Sequence, residues 1–379
     1  MKFFENIKEA VFLSRPNRFV VMCRLDGNII KAFLPNPGRL SELFLPEVKI
    51  YLEKSPSSER ATSYTAVAVE RDGIPVMLHT HRTNDVVHYL LKKGFVPGLE
   101  GTRVVKREVT HGKSRFDFLL EKGKEKILLE VKSCTLFSKR VAMFPDAITQ
   151  RGKRHIEELA KLSNGKVKNV VLFLVQWSKA EVFMPEYHTD LEFAKTLLRE
   201  KDKIKIIPLS VQWNKDMSLN LSKIKVLGIP WGIIKRESED RGCYILVLKL
   251  KKNIRIEIGK LGKINFRKGY YIYAGSAMRN LSKRIERHRR LRKNYFWHID
   301  YLREKAEFCS ALPIRSQDDL ECRLAGDLSR ISDWQVQGFG CSDCSCKAHL
   351  FGMEKDPLSL EGFHKILQFY RMDRLLDGF

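Results

Sequence analysis

The sequence predicts a multi-domain α+β protein with a small N-terminal β-barrel, an α/β core and a C-terminal α/β module. Three observations carry that reading. Residues 1 to about 80 hold short alternating apolar runs split by turn residues. From Asn84 helical and extended segments follow in the order α-β-β-β-α-β, ending in the continuous apolar run KNVVLFLVQW. Beyond Gly242 a second group of strands leads into a helix crowded with arginine and lysine. The expected domains are 1–82, 83–228, a linker at 229–241, 242–352 and a helical tail at 353–379.

In the first domain the runs RFVVMCRL, NIIKAFLP, EVKIYLE, TAVAVE and IPVMLHT are the strands. Asp26-Gly27, Pro35-Asn36-Pro37-Gly38 and Lys54-Ser55-Pro56-Ser57-Ser58 punctuate them. This spacing suggests a barrel, and a five-stranded one beside a basic module is compatible with an OB-fold that binds single strands. PNPGRLSELF reads as a turn and then one helical turn, with Arg39 placed to meet a phosphate or simply solvated.

In the second domain Asn84 is expected to cap a helix through Leu91, ended by Gly94 and Pro97. Strands are expected at about 103–110, 115–121 and 126–132. The last two flank Gly123-Lys124 as a hairpin, and each carries a carboxylate inside an apolar run: Asp117 in RFDFLL, Glu130 in ILLEVK. A turn centred on Gly123-Lys124 sets Asp117 opposite Glu130, with Cβ atoms roughly 5 Å apart. Two opposed carboxylates in a low-dielectric site call for a cation between them. Lys132 projects from the same strand face as Glu130. The three fit a metal-dependent hydrolytic site; the plainer alternative is an exposed hairpin with surface charges. FPDAITQRGKRHIEEL follows, read as a helix capped by Asp146 and closed by Gly165. It displays Gln150, Arg151, Lys153, Arg154 and His155 for phosphate contact or for solvent.

The chain has 379 residues, 69 basic and 45 acidic, for a net charge of +24. That excess points to a polyanionic partner, nucleic acid (DNA or RNA) before an anionic membrane. No apolar stretch approaches the roughly 20 residues of a membrane span. The first residues, MKFFENIKEAVFLSRPNRF, do not read as a signal peptide, because charges interrupt the apolar part. The eight cysteines lack a secreted disulfide pattern, so a cytoplasmic setting is expected.

SRFDFLL, LEVKSCTL, FPDAITQRGKRHIEEL and PNPGRLSEL together resemble the sugar fermentation stimulation protein A family of bacteria and archaea, over residues 1 to about 225. The resemblance implies an OB-like N-terminal domain and a nuclease-type core of the PD-(D/E)XK class. Asp117 matches that motif's aspartate, and Glu130 and Lys132 its E-x-K. It further implies Mg²⁺ or Mn²⁺ on Asp117 and Glu130, with Lys132 orienting the attacking water. Asp85 is the nearest candidate for the first-helix carboxylate that joins such sites. Arg115 is a further candidate nucleic-acid contact.

The charged stretch WGIIKRESEDRG reads as the linker. After it come CYILVLKL, IRIEIGK and INFRKGYYIYAGSA as strands. A helix capped by Asn280 follows, and residues 279–293 carry eight Lys and Arg against one acid. Such density is a phosphate-backbone signal, which nominates Arg287, His288, Arg289 and Arg290. Gly242-Cys243-Tyr244 and Tyr273-Ala274-Gly275 resemble the two halves of the GIY-YIG nuclease signature, with Cys243 and Ala274 in place of its isoleucines. Arg284 and Glu321 match the family's remaining positions. The resemblance implies catalytic roles for Tyr244, Tyr273, Arg284 and Glu321, with a divalent ion on Glu321. Asp300 and His298 are placed near that cleft. Cys341, Cys344, Cys346 and His349 offer four soft ligands to zinc, or are incidental thiols.

The expected function is therefore nucleic-acid binding with metal-dependent phosphodiester hydrolysis, and no small-molecule cofactor. The alternative is a non-catalytic DNA-binding regulator of sugar-metabolism genes. Oligomeric state leaves no mark on the sequence.

Overall fold

The structure, a computed structural model, describes residues 2–55, 62–112, 114–163 and 167–376. Pro56, Ser57, Ser58 and Gly165 of the expected turns lie outside them. The chain divides into two compact units, Met1–Glu186 with Glu192–Trp231, and Tyr187–Leu191 with Gly232–Phe379. Among the described residues no helix is long and apolar enough to cross a membrane.

Unit 1 opens with β1 (Ile7–Asn17), β2 (Val20–Leu25), β3 (Asn28–Phe33), β4 (Lys49–Lys54), β5 (Tyr64–Arg71) and β6 (Ile74–Met77). Their order is β3-β2-β1-β4-β5-β6, and a parallel pairing of β3 with β5 closes β1–β5 into a five-stranded barrel. Asp26 and Gly27, both at positive φ, make the tight β2–β3 turn. The sequence reading missed β1, the strand on which β2 and β4 both pair. Lys8, Glu9 and Pro16 disguise it, and only Ala10 and Phe12 are fully buried. Register shifts after Phe12 and Ser14 accommodate Pro16 near the end of the strand.

The second sheet is built from β7 (Arg103–His111), β8 (Ser114–Lys122), β9 (Glu125–Cys134), β12 (Val170–Val175), β14 (Lys205–Ser210) and β15 (Lys225–Val226). A small sheet joins β10 (Leu136–Phe137), β11 (Val141–Phe144) and β13 (Val182–Pro185). The large sheet runs β15-β14-β12-β9-β8-β7, with β12 parallel to both β9 and β14. Every residue of β12 is buried: Val171, Phe173 and Val175 enter one apolar cluster, and Val170, Leu172 and Leu174 the other. One face is covered by α1 (Thr83–Lys92) through Val86, Val87 and Leu90. The other is covered by α2 (Gln150–Leu162) and α3 (Leu191–Glu200), in a cluster that also takes in barrel residues such as Val21 and Ile50. Each fully buried Val or Phe contributes about 1.5–3 kcal/mol.

Two helix starts differ from expectation. Asn84 lies inside α1, whose N-cap position is Arg82 with no side-chain cap. The second helix begins at Gln150, capped by Thr149 Oγ1 accepting from Gly152 N at 3.0 Å, so Asp146 is free for another task.

In unit 2 the expected linker is ordered. Trp231–Glu237 forms α4, with Ile233 and Ile234 buried. Then come β16 (Gly242–Leu250), β17 (Ile254–Glu257), β18 (Lys263–Phe266), β19 (Gly269–Ala277), α5 (Leu281–Arg289), α6 (His298–Lys305), β20 (Glu307–Arg315), α7 (Glu321–Arg330), β21 (Trp334–Gln335), β22 (Leu350–Met353) and α8 (Glu361–Arg371). The sheet runs β20-β16-β19-β22-β21. Along β16, Tyr244, Leu246 and Leu248 join a cluster with α5 and α6, whereas Cys243, Ile245 and Val247 join one with α7 and α8. The region expected as a separate tail is thus half of this core: Phe363, Leu367 and Tyr370 of α8 pack against Leu324 and Leu328. Tyr370 also donates to Asp327 Oδ2 at 2.6 Å.

Candidate functional site

The hairpin registers as its turn dictates, with Phe118 opposite Leu129 and Lys122 opposite Glu125 around Gly123 (φ 60°). Backbone pairing stops one step before Asp117. There the Asp117 carboxylate replaces the ladder, accepting the Val131 amide at 2.7 Å on Oδ2 and Asn84 Nδ2 at 2.7 Å on Oδ1. Asn84, expected as a cap, is therefore a holder of Asp117. Glu130 Oε1 takes two donors, Lys132 Nζ and His155 Nδ1, the latter at 2.6 Å. Glu130 Oε2 is buried and meets no hydrogen-bond donor among the described residues.

Electrostatics sets the two acids apart. Burial, then repulsion from Glu130, pushes the Asp117 carboxyl up to about 6. Burial also acts upward on Glu130, but the His155 hydrogen bond and the Lys132 charge outweigh it, leaving a downward shift. A buried carboxylate oxygen without a donor is costly, and a nearby positive charge would also relieve Asp117, whose ionisation burial and the Glu130 charge disfavour. The residues present thus fit a divalent oxygen-seeking cation. They border a cleft of about 710 Å³ whose walls include Asn36, Gly38, Thr149 and Arg151.

His155 was expected on a displayed basic face and is instead only 1% exposed, because the helix turns it toward Glu130. Its ring meets both neighbours, Nδ1 at 2.6 Å from Glu130 Oε1 and Nε2 at 3.4 Å from Arg151 Nε. Gln150, Arg151 and Arg154 are exposed, while Lys153 pairs with Glu192 at 3.3 Å. Arg115 is exposed and pairs with Glu108 at 2.6 Å. Asp85 does not join the site, since it is 2.8 Å from Arg107 and 3.8 Å from Arg82.

Asp146 explains the PNPGRL motif. Its Oδ2 accepts Leu40 N at 2.9 Å, and its carbonyl accepts Arg39 Nε at 2.7 Å. A Cβ on Gly38 would stand 2.9 Å from that carboxylate, so a larger residue there would have to push it aside. Arg39 is thereby a clasp between barrel and core, not the free phosphate contact considered from sequence.

In unit 2 the two half-motifs lie on adjacent antiparallel strands, with Tyr244 opposite Gly275. A Cβ on Gly275 would come within 2.5 Å of Tyr244 Oη and 2.9 Å of the Tyr273 ring. Glycine therefore lets both phenols converge. Tyr244, Tyr273, Arg284, His298 and Glu321 line a cavity of about 380 Å³. Tyr244 Oη is 2.9 Å from His288 Nε2. Burial pushes both phenols up, strongly disfavouring phenolate. Arg284 stacks on the Trp297 ring, 4.0 Å from its centroid.

The helix α5 is capped differently than expected. Asn280 makes no cap bond; Asp240 Oδ1 accepts Ser282 N at 3.0 Å, and its carbonyl accepts Leu281 N. Arg287 and His288 turn inward, correcting their assignment as nucleic-acid contacts. Arg287 forks onto Asp300 with both bonds at 3.0 Å, and His288 is 1% exposed. Arg289 and Arg290 remain exposed. Asp300 is fully buried behind His288, not in the cavity wall. Burial acts to raise its pKa, but His288, Lys293 and two backbone amides hold it far below the usual range.

Among the cysteines, the structure groups Cys322 with Cys344, Cys346 and His349, all ligand atoms within 4.8 Å of one another. Cys341 lies outside that group. Sequence spacing could not show this, because Cys322 belongs to a helix well upstream of the C-x-C segment.

Three family models match the chain: the sugar fermentation stimulation protein RE domain at residues 81–217, the SfsA N-terminal OB domain at 13–78, and domain of unknown function DUF123 at 243–371. The sugar fermentation stimulation protein homolog of Methanothermobacter thermautotrophicus is 35% identical over 228 residues, 60% of this chain and 95% of the relative. That of Desulfitobacterium hafniense (strain DSM 10664 / DCB-2) is 35% identical over 214 residues, 56% of this chain and 92% of the relative. A solved structure of Pyrococcus furiosus SfsA in complex with Ca²⁺ is similar at TM-score 0.54 and 30% identity, over 60% of this chain and 99% of that one.

Proposed function

This chain belongs to the sugar fermentation stimulation protein family, carrying a GIY-YIG-like DUF123 domain besides, and on that premise we propose that it binds nucleic acid and hydrolyses phosphodiester bonds with a divalent ion held by Asp117 and Glu130. The observation that carries the proposal is a buried Glu130 Oε2 that meets no donor among the described residues, beside an Asp117 pushed up to about 6. The relative solved with Ca²⁺ is in keeping with it. When bound, Mg²⁺ or Mn²⁺ would polarise a phosphoryl oxygen and acidify a water. The chain's own residues supply the rest. Asn84 and the Val131 amide aim Asp117, His155 aims Glu130, and Lys132 stands at the same oxygen as a proton-bearing cation. Exposed Gln150, Arg151 and Arg154 provide backbone-phosphate contacts. All eight cysteines are free thiols, in keeping with a reducing cytoplasm.

The test is digestion of plasmid, single-stranded DNA and RNA with Mn²⁺ or with EDTA, by the wild-type chain and by Asp117→Asn and Glu130→Gln. Metal-dependent cleavage lost in both variants is expected; cleavage undiminished in both contradicts the assignment.

One observation favours a second reading, a non-catalytic nucleic-acid-binding regulator: Lys132 is ion-paired with Glu130 and not free beside it. That reading predicts salt-sensitive binding and no metal-dependent turnover from the wild type.

A further inference from the structure

Four soft ligand atoms meet beside the cavity of unit 2. Cys322 stands in the first turn of α7, directly after Glu321, while Cys344, Cys346 and His349 come from the segment leading into β22. Between β21 and β22 that segment has turns and no helix or strand, and Gly338 and Gly340 both sit at positive φ. Backbone bonds pin its ends, Gly338 N to Lys347 O at 2.9 Å and His349 N to Phe339 O at 2.8 Å, and bring the C-x-C stretch between them back beside His349.

The spacing suits a tetrahedral metal. All four ligand atoms lie within 4.8 Å of one another, and Cys344 Sγ is 3.5 Å from His349 Nε2. Bonds of about 2.3 Å to sulfur and 2.0 Å to nitrogen give tetrahedral edges of roughly 3.5–3.8 Å. Three sulfurs and one imidazole select zinc over the oxygen-seeking Mg²⁺ or Mn²⁺.

The ring is already oriented for the task. His349 is 1% exposed, and its Nδ1 lies 2.8 Å from Glu321 Oε1. Donating Nδ1–H to that carboxylate leaves the Nε2 lone pair facing the sulfurs, the carboxylate–histidine–metal arrangement that fixes tautomer and direction together. We propose that Cys322, Cys344, Cys346 and His349 bind a zinc ion, which through His349 holds Glu321 in the wall it shares with Tyr244, Tyr273 and Arg284. Glu321 is then a positioning partner of the imidazole, and the site stands whether or not either unit cleaves nucleic acid.

The full chain, purified under reducing conditions and stripped of metal, is reconstituted with Zn²⁺ or Co²⁺ alone, with metal content and the cobalt spectrum as readouts. The wild type should take close to one metal per chain, with thiolate-to-cobalt charge transfer and intense tetrahedral d–d bands. Cys322→Ser and Cys346→Ser should lose it; Cys341→Ser should keep it. Cys322→His separates loss of a ligand from loss of fold: it should retain cobalt with weaker thiolate charge transfer. Glu321→Gln should keep the stoichiometry but weaken zinc about 10–100-fold in chelator competition. A wild type that takes no metal, a Cys322→His spectrum identical to wild type, or Cys341→Ser losing metal overturns the site. Undiminished zinc affinity in Glu321→Gln overturns the link to Glu321.

Discussion

The two candidate nuclease centres are built on opposite principles. In unit 1 a buried carboxylate oxygen has no donor among the described residues, a second carboxyl is pushed up to about 6, and a cleft opens onto both. In unit 2 the acid is already engaged: Glu321 Oε1 bonds His349, and Tyr244 bonds His288. Both acids meet a histidine, Glu130 through His155 and Glu321 through His349, but Glu130 keeps a buried oxygen without a donor among the described residues whereas the Glu321 side chain is partly exposed to solvent. A motif match therefore locates a centre without saying what it lacks, and unmet polar demand is the better guide to where a metal goes.

The largest effect expected from this contrast is on turnover. Glu130→Gln or Asp117→Asn should lower Mn²⁺-dependent cleavage at least about a hundredfold, the rate equivalent of several kcal/mol of lost charge stabilisation. Glu321→Gln should lower it far less in the same digestion assay. Equal losses from both units would erase the distinction.

Next is a stability effect with a definite pH sign. Asp117 has a folded-state pKa of about 6, above its ordinary 3.8, so ionising it disfavours the fold. Its protonated form contributes stability fully below about 3.8, and that contribution is lost as pH rises through about 6. Without divalent ions, Asp117→Asn should be more stable than wild type at pH 8 by roughly 1–3 kcal/mol. The advantage should vanish near pH 3, as read by urea unfolding. Added Mn²⁺ should favour the wild type.

Smaller effects probe the supports. Asp146→Ala removes the acceptor for Leu40 N and should cost about 1–2 kcal/mol in thermal or denaturant unfolding. Tyr244→Phe deletes the buried hydroxyl that meets His288 and Arg284 and should cost about 0.5–1.5 kcal/mol.

Much of unit 1 was legible in the sequence because a hairpin turn determines every pairing that follows it. Placing the turn at Gly123-Lys124 aligned Phe118 with Leu129, and although pairing stops there, Asp117 and Glu130 line one cleft. What escaped was whatever depends on contacts remote in the chain. Asp146 is good helix-capping chemistry, yet it serves a loop more than a hundred residues earlier, at Leu40. His155 sits in a run of charges that looks solvated, and only the sheet it packs on turns it inward. Cys322 had no cysteine or histidine beside it in sequence, so Cys341 stood in for it. Strand β1 carried charges and a proline on positions the barrel leaves exposed, which hid its period. Local periodicity announces elements; the partner of a buried polar group is settled by the fold.

The central claim is that unit 1 holds the divalent cation through Glu130 and Asp117. Mn²⁺ titration followed by electron paramagnetic resonance on the full chain tests it most directly, comparing wild type, Glu130→Gln and Glu321→Gln. The account predicts that Glu130→Gln weakens Mn²⁺ binding by at least about tenfold while Glu321→Gln leaves it near wild type. Unchanged Mn²⁺ affinity in Glu130→Gln would contradict it.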